Sequence, residues 1–277
     1  MPELPEVEHV VRALRRAVLG RQIIASEIRL PKLIAPTSPS AFKRKLKGGR
    51  ITSLGRRGKF ILIEIDSGYV LAVHLRMTGK FQVLSLDDPL PPHAHIIFYL
   101  DDERRLVFRD QRQFGVMKLV PGSRLSKTKG ISELAPEPFS DDFSVVYLRE
   151  ILRRSQRSLK NLLLDQTRIL GLGNIYAAEA LFRAGVNPFK TAAGLGSRRV
   201  ERLHQAIRDV LRAAISGSST RRINIENANG FSYGAVFENV WQVYEREGEP
   251  CFKCSTRIRR IVHGGRSTYW CPKCQRR

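Results

Sequence analysis

The sequence predicts an α+β chain: an N-terminal β-sandwich with flanking helices, a mostly helical second domain, and a C-terminal β-hairpin pinned by a metal ion. Three observations carry this expectation. A helical apolar stripe near the first residue is followed by short β-branched or aromatic runs between turn residues; later apolar positions recur at helical spacing; and all four cysteines lie in the last twenty-seven residues.

Taken in order, Val7, Val10, Val11, Leu14 and Val18 form one face of a helix that begins near Pro5 and stops at Gly20, with Glu6, Glu8, Arg12, Arg15 and Arg16 opposite. Strand-like runs follow at 22–28, 60–65, 69–75, 81–84, 96–100, 106–108 and 116–120, a spacing that reads as a β-sandwich. Composition shifts at Pro121-Gly122, and a polar stretch through Pro136 and Pro138 leads to Asp141-Asp142. The expected division is therefore 1–135, 136–240 and 241–277. Helical patterns occupy 145–152, 159–164 and 175–182, and then a long segment with Val200, Leu203, Ile207, Val210 and Leu211 on one face. Between Gly217 and Tyr233 the text is polar and aperiodic, which reads as a long exposed loop.

A length of 277 residues with 42% apolar content suffices for two cores. Lysine and arginine number 48 against 26 acidic residues, a formal charge of +22, so the expected partner is a polyanion. Charge alone leaves ribosomal and membrane-surface proteins in play. No run of eighteen apolar residues and no leader-like opening occurs, so a cytoplasmic protein beside the chromosome is expected, with no membrane association.

Cys251-x2-Cys254 and Cys271-x2-Cys274, sixteen residues apart, match the spacing of a four-thiolate zinc site. Four protein ligands leave no open position, which makes the ion structural. Between the pairs lie two strand-like runs and the glycine turn His263-Gly264-Gly265-Arg266-Ser267, a hairpin with a basic tip. His263 is not expected to ligate, because the thiolates already fill the shell.

The opening Met1-Pro2-Glu3-Leu4-Pro5-Glu6-Val7-Glu8 places a small residue after the initiator, so Met1 is removable and the secondary amine of Pro2 can be exposed. An α-amino group titrates near pH ~8, roughly two units below lysine, so a useful fraction is uncharged at neutral pH. Attack of a secondary amine on a deoxyribose C1′ gives an iminium ion, an electron sink that acidifies the C2′ hydrogen and permits elimination of the 3′- and then the 5′-phosphate.

This opening resembles that of the bacterial formamidopyrimidine-DNA glycosylases. The likeness continues in order through Arg56-Arg57-Gly58-Lys59-Phe60, His74-Leu75-Arg76-Met77-Thr78-Gly79, Asp110-Gln111-Arg112-Gln113-Phe114-Gly115, Gly171-Leu172-Gly173-Asn174-Ile175-Tyr176 and the cysteine hairpin. It implies a helix-two-turns-helix element in the second domain, one structural Zn2+, and double-stranded DNA containing oxidised bases as partner, bound by a monomer. It also implies an activity: excision of oxidised purines such as 8-oxoguanine and formamidopyrimidines, followed by β,δ-elimination at the abasic site. By the resemblance, Pro2 is the Schiff-base nucleophile, Glu3 the acid/base, and Lys59 and Arg266 grip the phosphates flanking the lesion and assist elimination. Met77, Arg112 and Phe114 fill the space left by an everted nucleotide, while His93, Arg157 and Asn174 contact DNA phosphates.

The sequence departs from the family's usual text in three places. Gln111 and Gln113 stand where many relatives carry proline and arginine, Ala135 stands where glycine is usual, and 218–233 follows the base-capping loop poorly, which bears on lesion preference. Two other readings stay open on the sequence: the sister branch acting on oxidised pyrimidines, and a non-enzymatic zinc-dependent DNA-binding protein.

Overall fold

The structure is a computed structural model and describes residues 1–216 and 241–276. It comprises two compact units, the first covering 1–132 and the second beginning at Glu133. The expected base-capping loop at 218–233 lies outside the described residues.

The first unit opens with α1 (Leu4–Val18), and its predicted stripe is buried: Val7, Val10, Val11, Leu14 and Val18 are at most 1% exposed. Burial of five such side chains contributes about 1.5–3 kcal/mol each, which fastens the helix to the sheets. Strands β1 (Ile23–Ile28), β2 (Ile51–Arg57), β3 (Phe60–Ile65), β4 (Tyr69–His74), β5 (Lys80–Ser85), β6 (Ala94–Leu100), β7 (Arg104–Arg109) and β8 (Val116–Pro121) follow. They form two four-stranded antiparallel sheets, ordered β1-β6-β7-β5 and β2-β3-β4-β8. Apolar residues of both sheets and of α1 form one core. On the first sheet, Leu84, Ala94, Ile97 and Val107 make a second cluster, so the middles of β5 and β7 are buried on both faces rather than alternating.

Two elements here lie outside the sequence expectation. Helix α2 (Pro39–Leu46) buries only Phe42 and Leu46, too few apolar positions to show a period, and is started instead by Ser38, which accepts from the Ala41 N–H, and by Pro39. Strand β2 runs Ile-Thr-Ser-Leu-Gly-Arg-Arg along the edge of its sheet, and edge strands commonly carry such polar residues.

In the second unit, α3 (Val145–Arg153) is capped by Ser144, α4 (Leu159–Leu163) is short, and α5 (Asn174–Ala184) ends at Gly185, whose φ of 67° suits glycine at a helix C-terminus. Helix α6 (Ser197–Ser216) buries Val200, Leu203, Ile207 and Leu211, the face expected from the sequence apart from Val210. The C-terminal hairpin is β9 (Arg259–His263) paired with β10 (Arg266–Trp270). Gly264 and Gly265, with φ of 59° and 73°, make the turn between them, and a Cβ on Gly264 would come within 2.7 Å of the Asn161 side chain. Among the described residues, no helix is long and apolar enough to cross a membrane.

Candidate active site and nucleic-acid interface

In the first unit, Pro2 is buried at the head of α1 and Glu3 is 2% exposed. Glu3 is the helix N-cap, and its backbone N–H donates to Glu6 Oε2 at 2.6 Å within a reciprocal capping box. Glu6 therefore fixes the backbone of the Pro2-Glu3 pair. In the sequence Glu6 stood only on the polar face of the helix, not among the candidate site residues; an acidic residue three positions after Glu3 is the signal that could have marked it.

Lys59, 4% exposed, sits in the turn joining β2 to β3. Arg56, of the same basic segment, is bonded to Glu8 of α1 at 2.9 Å. Burial acts to raise the Glu8 carboxyl, but the guanidiniums of Arg56 and Arg12 outweigh it and hold the group below its ordinary range. His74, at the end of β4, is buried edge-on against Phe60, and its Nδ1 accepts from the Arg76 N–H at 3.0 Å. Burial first, then the nearby charges of Arg76 and Lys59, push this imidazole down to about 3, so it is neutral at physiological pH. His74 stood in a quoted segment without being singled out; its position beside Lys59 is a tertiary fact.

The three side chains expected to fill a duplex vacancy are exposed. Met77 is 42% and Phe114 53% exposed, with the Arg112 guanidinium 4.9 Å from the centre of the Phe114 ring. His93 is also exposed and holds a positive φ of 62°.

In the second unit, Arg266 is exposed at the start of β10, cross-strand from His263. The next carbonyl, that of Ser267, accepts from Lys160 Nζ at 2.6 Å and from Asn174 Nδ2 at 3.1 Å. Lys160 is fully buried and also donates to Thr268 Oγ1 at 2.8 Å, so the hairpin beside Arg266 is anchored to α4 and α5. Nothing in the apolar run around Lys160 marked it beforehand. Asn174 Oδ1 is buried without a hydrogen-bond partner. Arg157 is exposed and paired with Asp165 at 2.7 Å, a surface contact worth about 0–1 kcal/mol that a phosphate can displace. His263 bonds Ser158 Oγ at 2.7 Å and packs edge-on against Phe189, outside the cysteine cluster as expected.

The Sγ atoms of Cys251, Cys254, Cys271 and Cys274 lie within 4.8 Å of one another. The contacts Cys251–Cys274 at 3.9 Å and Cys254–Cys271 and Cys254–Cys274 at 3.4 Å are far too long for disulfides. Tetrahedral zinc with Zn–S of about 2.3 Å sets sulfurs roughly 3.8 Å apart, so the site fits one structural zinc ion. Hydrogen bonds with Thr256 draw the Cys254 thiol down to about 6, while burial and neighbouring thiols push Cys274 up to about 12. A divalent cation offsets the cost of ionising the whole set.

Comparison with known proteins settles the family. The profile of the formamidopyrimidine-DNA glycosylase N-terminal domain matches residues 1–117, that of the formamidopyrimidine-DNA glycosylase H2TH domain 134–224, and that of a zinc finger found in FPG and IleRS 248–277. The chain belongs to the formamidopyrimidine-DNA glycosylase family. It is 45% identical over 276 residues to the formamidopyrimidine-DNA glycosylase of Pelotomaculum thermopropionicum, covering 100% of this chain and 99% of that protein. The Bacillus subtilis formamidopyrimidine-DNA glycosylase is 43% identical, with 99% of both covered. A crystal structure of the Lactococcus lactis enzyme, bound non-covalently to DNA containing an AP site, matches with a TM-score of 0.89 at 34% identity, covering 99% of this chain and 100% of that one. The fold is accordingly the family's: a β-rich N-terminal domain, a helical H2TH domain and a zinc finger.

Proposed function

We propose that the chain is a base excision repair enzyme, a DNA glycosylase and AP lyase that removes oxidised purines from double-stranded DNA through a Schiff base on Pro2. The observation that carries this is the buried Pro2-Glu3 pair at the head of α1, held by Glu6, in a chain that matches the family throughout its length.

With Met1 removed, the Pro2 nitrogen attacks C1′ of the damaged nucleotide and displaces the base, which departs protonated. The Pro2 nitrogen gives up its proton and the C1′–O4′ bond then opens, with the Glu3 carboxyl assisting both departures and protonating O4′, to leave the iminium ion. The iminium then draws electrons from the C2′–H bond, and the 3′-phosphate leaves by β-elimination. A second, δ-elimination expels the 5′-phosphate. Lys59 and Arg266 supply positive charge to these departing phosphates. Met77, Arg112 and Phe114 enter the vacated stack, and His93, Arg157 and Asn174 hold the backbone. The functional modules are 1–135, 136–240 and 241–277, with zinc supporting the last. The enzyme acts as a monomer in the cytoplasm, associated with the nucleoid.

The test is borohydride trapping on duplexes containing 8-oxoguanine opposite cytosine, with peptide mapping of the adduct. The expected result is a covalent adduct on the N-terminal peptide. Lesion binding without an adduct would reduce the protein to a binder, and a strong preference for thymine glycol would overturn the purine assignment.

A further inference from the structure

We infer that Asp110 is a positioning residue that locks together the loops carrying Met77, His93 and the Arg112–Phe114 pair; this rests on reading those side chains as the set that engages an everted nucleotide's surroundings. Asp110 follows β7 and is 1% exposed. Its backbone N–H donates to the His93 carbonyl at 3.0 Å, and its own carbonyl accepts from Gln113 N–H at 3.1 Å and meets His95 Nε2 at 3.0 Å. Its Oδ1 accepts from the Thr78 hydroxyl, and its Oδ2 accepts from Gly115 N–H at 2.7 Å. Thr78 Oγ1 in turn accepts from Arg112 N–H at 3.0 Å. The Asp110 carboxylate and the Thr78 hydroxyl thus tie the Met77 loop to the Arg112–Phe114 loop, and the Asp110 backbone ties the latter to the His93 loop.

Each of these loops contains a non-glycine residue in the left-handed region: Arg76 at φ 55°, His93 at 62° and Gln113 at 58°. Such conformations are unfavourable for residues with a Cβ and persist only where the surroundings impose them. The loop ends are closed against a shared ring: a Cβ added at Gly79 or at Gly115 would each lie 2.8 Å from Phe108 Cζ. Met77 and Phe114 are about half exposed, and the Phe114 ring lies against Arg112 of its own loop, so the path of the loop backbone has a large share in aiming them. That backbone is tied to Asp110.

An abasic nucleotide has no base to unstack, so a defect in wedge positioning weighs more on 8-oxoguanine excision than on abasic-site incision. The ratio of these two single-turnover rates is therefore the readout, with a 2-aminopurine beside the lesion reporting extrusion. Thr78→Val keeps the side-chain shape and removes the hydroxyl. It is expected to lower the ratio roughly tenfold or more and to diminish the 2-aminopurine signal, while Thr78→Ser restores both to within about threefold. Asp110→Asn, which keeps one acceptor, is read in the same way should Thr78→Val fail to fold. Phe114→Ala is the control for the wedge itself. If Phe114→Ala lowers the ratio and Thr78→Val does not, or if Thr78→Ser fails to rescue, the role of Asp110 is overturned. If Phe114→Ala also leaves the ratio unchanged, the wedge reading falls and this inference with it.

Discussion

Glu179 of α5 is the sharpest place to test how the zinc finger is held. Its Oε2 accepts from Gln242 N–H and its Oε1 from Val243 N–H and Tyr244 N–H, all at 3.0 Å. Val243 is fully buried in the cluster that contains Cys251 and Cys271, so Glu179 connects α5 to the start of the metal-bearing segment. Glu179→Ala strands one wholly buried donor, at about 2–3 kcal/mol, and two partly buried ones that water can reach, at about 1 kcal/mol each, for a total of about 4–5 kcal/mol. Glu179→Gln retains one acceptor oxygen and presents N–H to N–H once, so about 1–2 kcal/mol is expected. The chain's two tryptophans, Trp241 and Trp270, both lie in this unit, so guanidinium unfolding followed by tryptophan fluorescence reads it directly. Release of zinc to a chromophoric chelator should accelerate in the order wild type, Gln, Ala. A loss below about 1 kcal/mol for Glu179→Ala, or Gln and Ala costing the same, would refute the reasoning that three amides depend on this carboxylate.

Two further outcomes follow from the site. The unfolded His74 imidazole takes a proton below about pH 6.5 while the native one resists to about 3, so the unfolded state binds the extra proton between these values. Stability from this group is complete above that window and is lost as pH falls through it, at up to about 1.4 kcal/mol per pH unit, and denaturation midpoints for His74→Asn should show a slope shallower by about one proton; parallel slopes would contradict this. Cys254→Ala should abolish metal binding, loosen the hairpin, and reduce the salt dependence of DNA binding by about one unit of slope as Arg266 loses its place. Unchanged affinity and slope, measured by anisotropy across salt concentrations, would show that the hairpin needs no metal.

The parts of the fold that the sequence displayed are those with a continuous apolar run, such as the doubly buried β5 and β7, or with one-sided periodic burial. The α1 stripe and the α6 face were legible because one side of each helix carries the apolar residues. The edge strand β2 and the short α2 were not, because an edge tolerates arginine and glycine, and two apolar residues make no period. Cysteine spacing displayed the metal site because zinc constrains ligands locally. Asp110, Lys160 and Glu179 act through partners 32, 107 and 63 residues away, respectively, and no local pattern announces such pairings. Arg157 shows the opposite case: likeness alone raised the expectation of a phosphate contact, and only the coordinates show its ion pair with Asp165.

Chain ends usually fray, yet here the first helix is sunk into the sandwich from Leu4 onward. On the mechanism proposed above, the Pro2 nitrogen, two residues ahead of Leu4, would inherit that stiffness and have little freedom to seek its target. The DNA would then do the travelling: the damaged nucleotide would swing out to a stationary amine, and selectivity would be exercised on whichever nucleotides complete that swing. Substitutions deep among Val10, Leu14 and their neighbours should then alter turnover even though none approaches the sugar, because they tilt the post on which the amine is mounted.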